Sequence, residues 1–210
     1  MGWEAIVERE RLRFDGAQSL VLRGNAAYGA GLALLMAGRD AEARAWLERA
    51  AAAWSESWAE ATPTSWGRPI GAVKALLLAG DDDGAAEAAE WALSLGCAEA
   101  ESPIGRYAAT LALLALGRDV EARHSAESIQ ARDDFPAAVA DALAFVSVHD
   151  PVAYTEAAEA VLESFETRDA YLEDVAVADT VLVLQALAAR RGIAAELPQS
   201  PVLPAAAASR

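Results

Sequence analysis

The chain has 210 residues, 54% of them apolar and about a quarter of them alanine, enough for one domain with a continuous core. Its 17 basic and 32 acidic side chains leave a net charge of −15, which repels nucleic-acid phosphates and anionic lipid and so excludes both as expected partners. Runs of alternating Val, Ile and Thr are nearly absent, which excludes a sheet.

Read in chain order, the apolar spacing predicts about ten helices. Trp3–Arg13 has helical spacing, broken by Phe14, Asp15 and Gly16. Its charged residues, among them Glu4, Glu8, Arg9, Arg11 and Arg13, are unlike a signal peptide. Asn25–Ala37 and Asp40 to about Trp58 form a first pair of helices, joined at Gly38. Pro63, Gly67 and Pro69 punctuate the link to a second pair, Ile70–Ala79 and Asp83–Leu95, joined at Gly80. Ser102 reads as an N-cap with Pro103 in the first turn, opening a third pair that turns at Gly117 and returns to about Ala131. Phe135-Pro136 opens a helix to Val148, and Asp150-Pro151 opens another to Arg168. A last helix spans Val175–Arg191 and stops at Gly192. These elements make one domain over 1–196. Pro198, Pro201 and Pro204 then suggest that 197–210 is an extended or disordered tail. No apolar run reaches about 18 residues without a charge or breaker, so no membrane span is expected and the cytoplasm is the expected compartment.

One phrase recurs three times. Leu34–Asp40, Leu76–Asp82 and Leu113–Asp119 each combine an apolar helix end, a glycine, a charged pair and the start of an Ala-rich helix. The glycines Gly38, Gly80 and Gly117 lie 42 and 37 residues apart. A hairpin of two helices cannot bury its apolar faces alone, so repetition of the unit implies stacked antiparallel hairpins. The pattern resembles the tetratricopeptide-repeat superfamily over roughly Asn25 to Ala131. Gly31 stands seven residues before Gly38, Ala43 and Ala50 take the small positions of the return helix, and Leu47 takes the large position between them. The second copy keeps Ala85 and Ala92 but has Val73 and Ala89 at the other two sites. The third keeps Ala122, with Thr110 and Ile129 in place of small residues. The resemblance implies an all-α array of stacked antiparallel hairpins that binds a protein or peptide on the inner face of its leading helices.

Little points to catalysis. The only histidines, His124 and His149, have no metal-ligand spacing, and both read as surface or turn residues. Cys97 is the single cysteine, so no intramolecular disulfide forms, and it reads as a small core filler. Asp81–Asp83 lacks the alternating ligands of a calcium loop, and no phosphate loop or nucleophile elbow occurs. No cofactor and no metal are expected. Trp46, Trp54, Trp58 and Trp66 crowd one stretch and read either as core or as the wall of a groove, since Trp and Arg concentrate at binding hot spots. Aligning the three copies puts Tyr28, Ile70 and Tyr107 at equivalent inward positions. With their polar neighbours Asn25, Arg68 and Arg106 they form the candidate partner-binding face. The expected function is therefore a non-enzymatic adaptor module. The alternatives are a toxin-neutralising immunity-type protein, or an enzyme or small-molecule sensor that uses the inner groove.

Lys74 is the only lysine beside 16 arginines. A salt-adapted proteome and a high-GC genome both account for the acidic, arginine-rich balance. Either way, the charge of −15 implies self-repulsion that salt relieves, because screening shortens the Debye length from about 10 Å at 0.1 M to about 3 Å at 1 M. The thermal midpoint should therefore rise from dilute buffer to molar potassium chloride. A chain that is unfolded near 0.1 M salt would be salt-adapted, and a cooperative melt insensitive to salt would exclude that origin.

Overall fold

A computed structural model describes residues 2–205. Among them, ten α-helices and three short 3-10 turns form an all-α fold, 73% helical and without strands. The helices are α1 (Trp3–Gly16), α2 (Leu20–Met36), α3 (Asp40–Ser57), α4 (Gly67–Ala79), α5 (Asp82–Ser94), α6 (Pro103–Ala115), α7 (Asp119–Gln130), α8 (Ala137–Val148), α9 (Pro151–Glu166) and α10 (Asp179–Ala189). No helix among the described residues is long and apolar enough to cross a membrane.

Each helix from α1 to α9 packs on its chain neighbours, and α4 also packs on α6 and α6 on α8. The pairs α2/α3, α4/α5 and α6/α7 are the three predicted hairpins. Their turn glycines, Gly38, Gly80 and Gly117, all have φ between 65° and 70°. That left-handed conformation ends a helix and frees the chain to turn back, and glycine enters it without a Cβ clash. In the α8/α9 pair His149 takes the same conformation, at φ 57°. Asp150 then caps α9 by accepting hydrogen bonds from the Val152 and Ala153 amides. Ser102 caps α6 in the same way through the Gly105 amide.

Close helix contact depends on missing side chains. A Cβ on Gly31 would lie 2.7 Å from Leu47, the large apolar residue of the return helix. Trp54 on α3 is wedged more tightly. A Cβ on Gly24 of α2 or on Gly71 of α4 would approach its indole to 2.6 Å. Trp58 joins the first two hairpins differently, packing on both Trp66 and Trp91 with ring centroids about 6 Å apart.

Several boundaries differ from the sequence reading. The α1 helix runs on through Gly16. The α2 helix begins five residues before Asn25, because Ser19 caps it through the Leu22 amide. The α4 helix begins at Gly67, which puts Pro69 in its first turn. The last helix begins only at Asp179. Val175 and Val177 precede it outside any helix, joined by a tight turn bond from the Val177 amide to the Val175 carbonyl, and both are buried. The expected tail is also corrected over its described part, 197–205. Leu197, Val202 and Leu203 are buried, and the Ala178 amide donates to the Val202 carbonyl. The prolines deny this stretch a helix, but its apolar side chains still have core to cover. Residues 206–210 of the predicted tail lie outside the described residues.

The segment from Tyr171 to Leu203 meets all four leading helices. Asp179 reaches α2 and α4, and Arg191 donates to the Leu114 carbonyl at the end of α6. The α10 helix packs on α4, α8 and α9. Gln185 fastens its middle by accepting from the Tyr154 hydroxyl and bonding both the N–H and the carbonyl of Ala195. Val181, Val183, Leu184 and Leu187 are 1% exposed or less, so this helix is part of the core.

At Gly117 nothing lies within 4 Å of an added Cβ, so a substitution there acts through the backbone alone. Gly117→Val should cost about 1–2 kcal/mol, the penalty for a side chain in left-handed conformation, and Gly117→Asn should cost less. The thermal midpoints of the two variants measure the difference.

Candidate functional site

Four of the six residues of the predicted inner face meet at one cavity. Asn25 and Tyr28 from α2 and Arg68 and Ile70 from α4 line a space of about 450 Å³, together with Val21, Trp54, Ser65, Gly67, Gly71, Lys74, Leu172 and Asp179. Arg106 and Tyr107 do not line it. They lie one hairpin further along, where Tyr107 packs on Phe135 with ring centroids 5.5 Å apart.

The cavity's deepest polar feature is a buried ion pair. Lys74 Nζ donates to Asp179 Oδ2 at 2.5 Å and to Thr180 Oγ1 at 3.2 Å, and the Tyr28 hydroxyl donates to the same Asp179 oxygen at 2.9 Å. Both side chains of the pair are only 11–12% exposed. Burial alone would raise the Asp179 carboxyl. The charge of Lys74, and hydrogen bonds from Lys74, Tyr28 and the Thr180 amide, instead hold it below the usual aspartate value. Burial would likewise lower Lys74, but the charge and hydrogen bond of Asp179 hold it above the usual lysine value. The Tyr28 phenol is pushed well above its ordinary value by burial, and the Asp179 charge adds to the shift.

Trp54 forms the adjoining wall. Its indole N–H donates to Asn25 Oδ1 at 3.0 Å, and the Asn25 amide donates to Glu173 Oε1 at 2.9 Å. Asn25 therefore bridges the aromatic wall and the loop before α10. The arginines expected to meet a partner are instead engaged within the chain. Arg68 Nη1 donates to the Ser57 carbonyl at 2.7 Å, and Arg106 donates through Nε and Nη1 to the Ala100 and Ala98 carbonyls. Arg68 ties the start of α4 to the end of α3, where carbonyls lack helical partners, and Arg106 ties the start of α6 to the short 3-10 turn that precedes it. Arg68 keeps its Nε/Nη2 edge free of hydrogen bonds among the described residues. The corresponding edges of Arg39, Arg118 and Arg132 grip Glu42, Glu121 and Asp134.

Sequence reasoning missed Lys74, Asp179 and Glu173. The first two carried a signal: Lys74 is a lone charge in the apolar run Ile70–Ala79, and Asp179 is the lone charge of α10, where a buried charge needs a partner. Glu173 carried none, since its role depends on where the loop lands.

A larger cavity of about 790 Å³ lies at the turn end of α2 and α4, between Leu35, Met36, Leu77, Leu182 and Leu203. Two of its polar side chains, Arg44 and Gln185, are engaged with the Ala79, Gly80 and Ala195 backbone, and Asp40 is the third polar side chain on its wall. Cys97 is buried, which pushes its thiol up to about 11. His124 is exposed, and His149 pairs with Asp119 at 2.7 Å.

No protein-family model, curated protein or solved structure matches the chain.

The buried pair has a definite signature. Lys74→Met leaves Asp179 buried without its counter-charge and should cost about 3–5 kcal/mol, while Lys74→Met with Asp179→Asn should recover much of that. In the native protein the Asp179 contribution is complete above the unfolded value near pH 4 and is lost as pH falls through its depressed folded value. The Lys74 contribution is complete below about pH 10.4 and is lost as pH rises through its raised value. Denaturant melts of the three proteins across pH test both statements.

Proposed function

We propose that the protein is a non-catalytic binding module of tetratricopeptide-like helical hairpins. Its recognition point is the cavity between Asn25, Tyr28, Arg68, Ile70 and Lys74. A compact group fits there, either a small molecule or one anchoring side chain of a protein partner. The carrying observation is that α10 packs across the leading helices α4 and α8 and, with the loop before it, leaves a half-open, polar-floored pocket at the start of α4. An extended peptide along the inner face is therefore the poorer fit. Volume and lining suit a ligand site, an apolar and aromatic wall with a few converging polar groups.

The direction of the pKa shifts supports binding over proton-transfer chemistry. A general acid or base works best with a pKa near the operating pH. Here Asp179 moves down, while Lys74 and Tyr28 move up, so each shift leads away from neutrality. The floor is built to stay charged and fixed. The free edge of Arg68 and one unused N–H of Lys74 are the groups left to orient a ligand.

The test is retention from a cell extract. The native protein and a Val21→Trp variant, which fills the cavity from its rim, are equilibrated with the extract, and bound metabolites and proteins are identified by mass spectrometry. At least one species should be held by the native protein and lost from the variant. Identical retention by two equally folded proteins would overturn the assignment.

A further inference from the structure

We infer that the loop between α9 and α10 is a strap at the rim of this cavity, latched by Glu173 and released to widen entry for the ligand. The inference rests on the cavity being the binding site and adds how entry to it is controlled.

Three observations carry it. The first is position. Leu172 lines the cavity yet is 51% exposed, so an apolar side chain sits at the rim with half its surface in water. The second is strain. Glu173 and Asp174 both have φ of 55°, two consecutive non-glycine residues in the left-handed region. Side chains pay to occupy that region, and it persists only where surrounding contacts enforce it. The third is the enforcing contact, which converges on one residue. The Glu173 carboxylate accepts from the Asn25 amide at 2.9 Å and pairs with Arg13, and its carbonyl accepts from Arg9 Nη2 at 2.8 Å.

The strap has firm ends. Before it, Arg168 stacks over Phe165 and the Tyr171 hydroxyl donates to the Phe165 carbonyl. After it, Val175 and Val177 are buried. Between these ends, among the described residues, the stretch from Leu172 to Asp174 is held by its own short 3-10 turn and by side chains from elsewhere in the chain, and its backbone relaxes when those side chains let go. Asn25 connects the latch to the site, because its amide group bonds both Glu173 and the Trp54 wall. A ligand that presses on Trp54 or takes over the Asn25 amide loosens Glu173 in the same motion, and the released strain favours the open strap.

Accessibility of the cavity tests this without knowing the ligand. A thiol is introduced by Ile70→Cys, and its reaction with neutral dipyridyl disulfide is timed. Buried Cys97 serves as internal reference. Adding Glu173→Gln, which keeps the side chain's size but weakens its hold on Arg13, should speed labelling at position 70 by about fivefold or more through local opening, with the Cys97 rate unchanged. Adding Asp174→Gly, which removes strain and leaves the latch intact, should slow it. Hydrogen exchange should localise the Gln variant's extra opening to 170–175. Equal rates at position 70 in the parent and Gln variant would overturn the strap. So would parallel acceleration at Cys97, which would mark Glu173 as a general support of the fold, and so would faster labelling with Asp174→Gly. The extract-retention outcome is independent. An empty cavity with latch-dependent labelling refutes the binding site alone, and retention with latch-independent labelling refutes the strap alone.

Discussion

The contact between Lys74 and Asp179 organises the inner side of this molecule. Leading helices with apolar inner faces need a cover, and α10 provides it with its own apolar surface. Apolar contact alone is non-directional and would tolerate sliding of one helix over the others. A buried charge pair does not, since each partner displaced from the other stands uncompensated in a medium of low polarity. Asp179, at the first position of α10, therefore fixes where that helix begins relative to α2 and α4. Gln185 and Arg191 hold its middle and end.

The cavity follows from this placement. The α10 helix starts where Lys74 can reach it, and the chain arrives there from α9 through a loop that crosses the rim of α2. Between that loop, the first turn of α4 and the wedged indole of Trp54, a space remains that no side chain fills. Its walls are rigid for a packing reason: Trp54 is clamped by two glycine surfaces and hydrogen-bonded to Asn25. Its rim includes the exposed Leu172, next to the strained backbone of Glu173 and Asp174. Rigid walls beside a strained rim are what a site needs if entry is to be separable from recognition.

The acidic character of the protein shapes how its arginines act. Arginine–carboxylate pairs such as Arg39–Glu42, Arg118–Glu121 and Arg123–Glu127 lie on the exposed surface, but Arg68 and Arg106 turn to backbone carbonyls, and Arg191 divides itself between the Leu114 carbonyl and the Asp119 carboxylate. Those carbonyls sit where helical bonding has stopped, and a planar guanidinium can satisfy two at once, as Arg106 does. An arginine beside an aromatic at the start of a helix reads in sequence as a binding anchor, and here the same side chains also brace the start of their helices against the preceding backbone.

The sequence by itself determined the helical class, the three hairpins and the turn glycines. Helix periodicity, caps and left-handed turn residues are local properties, settled within a few neighbouring residues. It also brought Asn25, Tyr28, Arg68 and Ile70 together, because each copy of the helix–Gly–helix unit carries equivalent positions to one face even where its length varies. Arg106 and Tyr107 share that register without lining the opening, although the Tyr107 phenol feels the charges of Lys74 and Asp179. Only the tertiary structure decided that the face is covered by α10, that 197–205 packs as core, and that Lys74, Asp179 and Glu173 complete the site. Those outcomes depend on residues more than a hundred positions apart meeting in space, and the energy of a buried charge or a latched loop exists only once both partners are in place.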